Sequence, residues 1–135
     1  MPYPIVEIEG IGNSYAEKLK GVGIHTTESL LKAASTPKGR RTLAAKSEIA
    51  EPLILKWTNC ADLMRIKGIA KQYSGLLEAA GVDTVRELKT RKADNLAQAM
   101  KAINEEKHLC KVSPSVAVVR KWIDSAKALP ARMSY

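Results

Sequence analysis

The sequence predicts an all-α protein assembled from two divergent copies of one helical unit. The first observation behind this is a repeat. Ile8–Leu30 and Ile66–Leu88 align without a gap at an offset of 58 residues. Eight of the 23 positions are identical: Ile8/Ile66, Gly10/Gly68, Ile11/Ile69, Tyr15/Tyr73, Leu19/Leu77, Gly23/Gly81, Thr26/Thr84 and Leu30/Leu88. A repeat of this kind means that one supersecondary unit recurs. The second observation is composition. The chain is 45% hydrophobic and contains no Phe, so its core rests on Leu, Ile, Val and Ala with Trp57, Trp122 and a few Tyr. That palette favours packed helices. The third is the recurrence of helix start and stop signals throughout the chain.

Taken in order, residues 1–7 read as an extended lead-in, because Pro2 and Pro4 oppose a helix. A helix is expected after Gly12 with Asn13 or Ser14 as its cap, carrying Tyr15, Ala16, Leu19 and Val22 on one face. Gly21 and Gly23 end it, and Thr26 caps a second helix to about Ala34. Thr36-Pro37 starts a third through Lys46, weakened by Gly39. Ser47 opens a fourth to about Met64, with Leu53, Ile54, Trp57, Ala61 and Met64 inward.

The second copy begins with a helix from about Ala70 to Ala80, placing Tyr73, Leu76, Leu77 and Ala80 inward, and Gly81 stops it. Thr84 and Glu87 form a capping box. Asp94 caps a helix to about Glu106. Ser113-Pro114 starts the last one, with Val116, Val119, Trp122, Ile123 and Ala126, and Pro130 ends it. The repeat extends here: Ile54–Ala61 faces Val119–Ala126, with Lys56/Lys121, Trp57/Trp122 and Ala61/Ala126 identical, at an offset of 65. The additional seven residues predict that the helix after Asp94 is two turns longer than its counterpart after Thr36. Both Trp are expected to be core anchors.

At 135 residues one domain is expected, with units of about 5–64 and 65–130. The net charge is +8. Residues 1–60 hold eight Lys/Arg against six Asp/Glu, and residues 61–135 hold fourteen against eight. A basic balance points to a polyanion. Cys60 and Cys110 lack metal-ligand spacing and read as buried reduced thiols of a cytoplasmic protein. No run reaches the ~20 apolar residues of a membrane span, and the N-terminal residues do not resemble a signal peptide.

The run Ile8-Glu9-Gly10-Ile11-Gly12, followed by Tyr15-Ala16, has the form apolar-x-Gly-apolar-Gly-x-x-x-Ala. It resembles the helix-hairpin-helix motif of DNA repair, replication and recombination proteins. Glycines there permit a tight turn and a close backbone approach, and the turn opens onto a helix N-terminus that favours an anion. The resemblance implies that the anion is a DNA phosphate, bound without regard to sequence, and that Ile11 or Ile69 plugs the hairpin into the core. In the second copy Ala70 replaces the second glycine. Glu9 places a negative charge in the first turn, whereas Arg65, Lys67 and Lys71 surround the second. Over essentially the whole chain, through GIG…YAEKLKGVGI, ILKWTNCADLMRIKGI, LLEAAGVDTVREL, NEEKHL and LPARMSY, the sequence resembles a group of small bacterial proteins of tandem helix-hairpin-helix repeats with no assigned function.

The candidate nucleic-acid-binding residues are therefore Arg65, Lys67, Gly68, Ile69, Ala70 and Lys71, with Gly10, Ile11, Gly12 and Asn13 in the first copy. The basic clusters Lys38, Arg40, Arg41 and Arg86, Lys89, Arg91, Lys92 read as solvated faces; the second could extend a phosphate track. His25 and His108 read as turn residues. No catalytic constellation, metal cluster or cofactor loop stands out. The expectation is a non-enzymatic protein without metal, cofactor, small-molecule substrate or membrane, binding nucleic-acid backbone weakly. The alternative is a protein-interaction adaptor using the hairpins and an apolar face of the last helix, Val116, Val119 and Ile123.

Overall fold

The computed structural model describes residues 3–135. Among them the helices are α1 (Asn13–Lys20), α2 (Thr27–Ala34), α3 (Pro37–Ser47), α4 (Glu51–Leu63), α5 (Lys71–Ala79), α6 (Val85–Lys89), α7 (Ala93–Lys107) and α8 (Val116–Ala128). No strand forms among these residues; one antiparallel bridge joins Pro4 to Thr26. The protein is all-α. The lead-in departs from its expectation. Ile5–Glu7 is a 3₁₀ turn, because Ile5 is buried and its amide donates to the His25 carbonyl (3.1 Å). Pro2 lies outside the described residues.

Several boundaries move for reasons of capping. Gly12, not Asn13 or Ser14, is the N-cap of α1. The reciprocal capping box forms in the first copy: Thr26 Oγ1 accepts from the Ser29 amide (3.1 Å), and Ser29 Oγ accepts from the Thr26 amide (3.0 Å). In the second copy only half of it forms. Thr84 Oγ1 accepts from the Glu87 amide (3.2 Å), but Glu87 Oε1 accepts from Arg91 Nε (3.2 Å) instead of turning back to the cap. Ser47 ends α3 rather than opening α4, and Glu48 takes the left-handed conformation that closes that helix. Gly39 does not weaken α3 without return: a Cβ there would collide with the Ala33 carbonyl, so the glycine lets α3 cross the end of α2. Lys92 rather than Asp94 is the N-cap of α7. Ser115 rather than Ser113 caps α8, accepting from the Val118 amide (3.2 Å).

The seven additional residues of the second copy are not two helical turns. α7 has 15 residues to the 11 of α3, about one turn more. The next connection is also longer, His108–Ser115 in place of Glu48–Ala50, while α6 is shorter than α2.

The buried apolar residues form two clusters, one from Ile5 to Met64 and one from Leu63 to Ala126. Each contains a Trp in the same setting. Trp57 meets Tyr15 edge-on, with ring centroids 5.0 Å apart; Trp122 meets Tyr73 at 5.2 Å. Trp57 Nε1 lies 3.4 Å from where a Cβ of Gly10 would stand, and Trp122 Nε1 lies 3.1 Å from that of Gly68. Val119 and Ile123 are buried in the second cluster, so the face of α8 expected to meet a partner is already covered; Val116 is exposed.

Residues 130–135 leave the second copy and dock on the first. Met133 is buried in the first cluster. The Ser134 amide donates to the Ser35 carbonyl (2.8 Å), Arg132 pairs with Glu28 (2.9 Å), and Tyr135 Oη donates to Asn59 Oδ1 (3.0 Å).

Trp57→Ala and Trp122→Ala are each expected to lose about 3–5 kcal/mol of stability in denaturant unfolding. Near-native stability of either variant would remove the claim that the two anchor equivalent positions. Met133→Ala is expected to cost about 2–5 kcal/mol by the same measurement, as for other large-to-small core changes.

Candidate functional site

Two turns precede α1 and α5, and their backbones correspond closely. The Ile11 amide donates to the Ile8 carbonyl (3.1 Å), and the Ile69 amide donates to the Ile66 carbonyl (3.1 Å). Gly10 has φ +94° and Gly68 has φ +96°, a region that glycine enters without steric penalty. Ile11 and Ile69 are buried. Their amides are spent within the turn and their side chains within the core, so neither residue can meet a ligand directly.

The next position differs chemically but not conformationally. Gly12 and Ala70 are both extended N-caps, with φ −86° and −117°. A Cβ on Gly12 would meet nothing within 4 Å. Ala70 therefore fits the same turn without strain. Neither N-cap supplies a side-chain acceptor, in contrast to Thr26, Thr36, Thr84 and Ser115. The first intrahelical donors are Ala16 to Gly12 and Ser74 to Ala70, both at 2.9 Å. The amides of residues 13–15 and 71–73 precede them and lack intrahelical acceptors. Neither helix has an acid in its first turn. Each N-terminus is a place where backbone donors and the positive end of the helix favour an anion.

Charge separates the two turns. Gly12, Asn13 and Ser14 are exposed beside the exposed Glu9. Lys67, Gly68 and Lys71 are exposed at the second turn. Among the described residues neither lysine is in an ion pair. Arg65 stands apart from them. Its Nη1 pairs with Asp62 Oδ1 (2.8 Å), its Nη2 donates to the Pro130 carbonyl (2.8 Å), and its side chain is only 11% exposed. Asp62 Oδ2 in turn accepts from the Val85 amide (2.9 Å), the first of α6. Arg65 thus braces the chain end and the α6 start.

Part of each basic cluster is committed in the same way. Arg40, 4% exposed, donates to the Ala34 and Ser134 carbonyls (3.0 and 2.8 Å) and lies over the Tyr135 ring. Arg86 donates to the Met133 carbonyl (2.9 Å) and Lys89 to the Leu129 carbonyl (2.7 Å). Arg91 holds Glu87 and the Gly81 carbonyl. Solvated faces were expected; Arg40, Arg86, Lys89 and Arg91 instead hold the tail and a turn, while Lys38, Arg41 and Lys92 are exposed as expected. Cation count in the sequence carried no signal of this. The one available hint was an apolar Met133 beyond the helix-ending Pro130.

Elsewhere, Lys56, Asn59, Cys60, Glu78 and Asp83 line a cleft of about 360 Å³. Burial, with Glu78 beside it, pushes the Cys60 thiol from 9.0 up to about 12. At neutral pH it is a protonated group and a poor nucleophile. Cys60 and Cys110 are both free. His25 and His108 sit in turns, His108 as the left-handed C-cap of α7. Among the described residues no group of three or more His, Cys, Asp or Glu is placed to hold a metal ion, and no helix is long and apolar enough to cross a membrane.

Residues 9–129 match the family described as Domain of unknown function (DUF4332). The chain belongs to this family. No curated protein and no solved structure matches it. Both turns apart from Ile8, both Trp and the whole of α1–α8 lie within the DUF4332 match; residues 130–135 lie beyond it.

The Cys60 shift has a stability consequence. The unfolded thiol ionises near 9.0 and the folded one near 12. Its contribution is intact below pH 9 and is lost as pH rises towards 12. The fall in unfolding free energy across that window is expected to be shallower in Cys60→Ala than in the unaltered protein, measured by denaturant titration at each pH.

Proposed function

We propose that the two units are helix-hairpin-helix repeats and that this protein is a non-enzymatic binder of nucleic-acid phosphate backbone, weak and indifferent to sequence. The observation that carries this reading is the second turn. There an uncapped α5 N-terminus opens between two exposed, unpaired lysines, Lys67 and Lys71. A phosphate at that point would meet the amides of residues 71–73, the helix dipole and two ammonium groups together. The first turn offers the same backbone, with Gly12 and Asn13 exposed, but Glu9 opposes an anion there. The reading makes α5 the principal contact and α1 a silent copy. Arg65 is assigned a bracing role and contributes no contact.

Two lysine contacts predict a modest electrostatic term. On a random duplex, log K should fall with log salt at a slope of about −1.8, from −0.9 per neutralised phosphate. Dissociation constants of about 10⁻⁴–10⁻⁶ M are expected at physiological salt. Lys67→Glu with Lys71→Glu should abolish binding on every sequence alike, and Glu9→Lys should strengthen it by repairing the first turn. The measurement is fluorescence anisotropy across a salt series. Absence of binding to duplex and single strand at low salt would overturn the reading.

A further inference from the structure

The second copy differs from the first in the loop that follows its bridging helix. In the first copy three residues, Glu48–Ala50, make this connection, and their apolar member, Ile49, is buried. In the second, eight residues do so, His108–Ser115, and two of their apolar side chains face solvent: Val112 is 70% exposed and Leu109 is 42% exposed. Val112 is the most exposed large hydrophobic side chain among the described residues.

This loop is held in place. Asn104, buried on α7, accepts from the Cys110 amide (2.8 Å) and donates to the Cys110 carbonyl (2.9 Å) and to Ser113 Oγ (3.2 Å). Cys110 Sγ donates to the Gln72 carbonyl (3.3 Å), and Tyr73 Oη donates to the Val112 carbonyl (3.2 Å). Gln72 and Tyr73 belong to the first turn of α5. The loop is therefore bound to the helix N-terminus assigned above to the phosphate. Its backbone is fixed while the Val112 side chain is left free. Lys111 on this loop and Lys107 at the end of α7 are exposed, as are Lys67 and Lys71 beside the turn; Glu105 and Glu106 are the acids nearest in sequence.

We propose that Val112, supported by Leu109, is a wedge that enters an opened base step of a duplex held by its phosphates at α5. The inference rests on the phosphate-backbone reading and adds a preference to it. An aliphatic tip next to Lys111, on a loop fastened to the helix that Lys71 opens, fits a partner that is anionic outside and apolar within. A duplex has that form, with phosphates flanking stacked bases, and apolar side chains are known to part base steps. An anionic bilayer has it too, but Val112 and Leu109 together offer about half the carbons of one myristoyl chain, which alone holds a bilayer only marginally. Unstacking costs least where a step is already weakened by a mismatch. Such a duplex is the preferred partner.

The test compares a fully paired duplex with the same duplex carrying one central mismatch, using 2-aminopurine at the mismatch and anisotropy at low salt. The unaltered protein should bind the mismatched duplex about tenfold tighter, near the lower end of what burying one Val supplies, and should raise the 2-aminopurine emission. Val112→Ser should lose both effects while its paired-duplex affinity and salt slope stay unchanged, because only the backbone carbonyl of Val112 takes part in the fold. Equal binding of the two duplexes by the unaltered protein overturns the wedge and leaves the phosphate reading standing. So does a mismatch preference that persists in Val112→Ser. No duplex binding by the unaltered protein, or its stronger retention on anionic phospholipid vesicles than on either duplex, overturns both.

Discussion

The contact between an indole and a side-chain-less turn holds each half of this protein together. Trp57 lies beneath Gly10 and against Tyr15; Trp122 lies beneath Gly68 and against Tyr73. In each case the Trp comes from the last long helix of its unit, and the glycine and tyrosine come from the start. One buried ring thus ties the two ends of the unit together. Both turns need glycine for a φ near +95°, and at Gly68 a Cβ would also crowd the Trp122 indole nitrogen at 3.1 Å. Removing either partner would unseat the turn and the helix N-terminus that follows it. The proposed anion site therefore inherits its geometry from the core.

A second constraint couples the halves. The segment after α8 crosses to the first cluster, where Met133 is buried, and its carbonyl groups take hydrogen bonds from Arg40, Arg65, Arg86 and Lys89. Four of the most conspicuous cations in the chain are thereby used to satisfy an extended segment that has no helix or sheet to pair with. Many other lysines, Lys18, Lys20, Lys32 and Lys121 among them, are exposed as well. What distinguishes Lys67 and Lys71 is their place on either side of an α5 N-terminus that has no side-chain cap.

The two copies share a scaffold and divide what is built on it. Glu9 in one turn and Lys67 in the other occupy aligned positions with opposite charge. The connection after the bridging helix is short and closed in the first copy, long and exposed in the second. Divergence has gone into surface charge and one loop, while the positions under the turns have stayed Gly, Tyr and Trp. A pair of this kind suits one working copy and one that completes the fold.

The sequence by itself determined the helical class, the internal repeat, the aligned turns and the burial of both Trp. These follow from local propensity, capping chemistry and periodicity, which are properties of near neighbours along the chain. It misplaced several caps, because Ser and Asp compete locally with Gly12, Lys92 and Ser115 for the same role, and tertiary packing chooses among them. It read seven additional residues as helix where the connection also lengthened, since an offset counts residues without saying how they fold. Above all it treated cations as interchangeable. Arg65 and Lys67 lie two residues apart, yet one is locked to Asp62 and Pro130 while the other faces solvent. Only the tertiary structure could decide that, because one of the two partners of Arg65, the Pro130 carbonyl, lies 65 residues away along the chain.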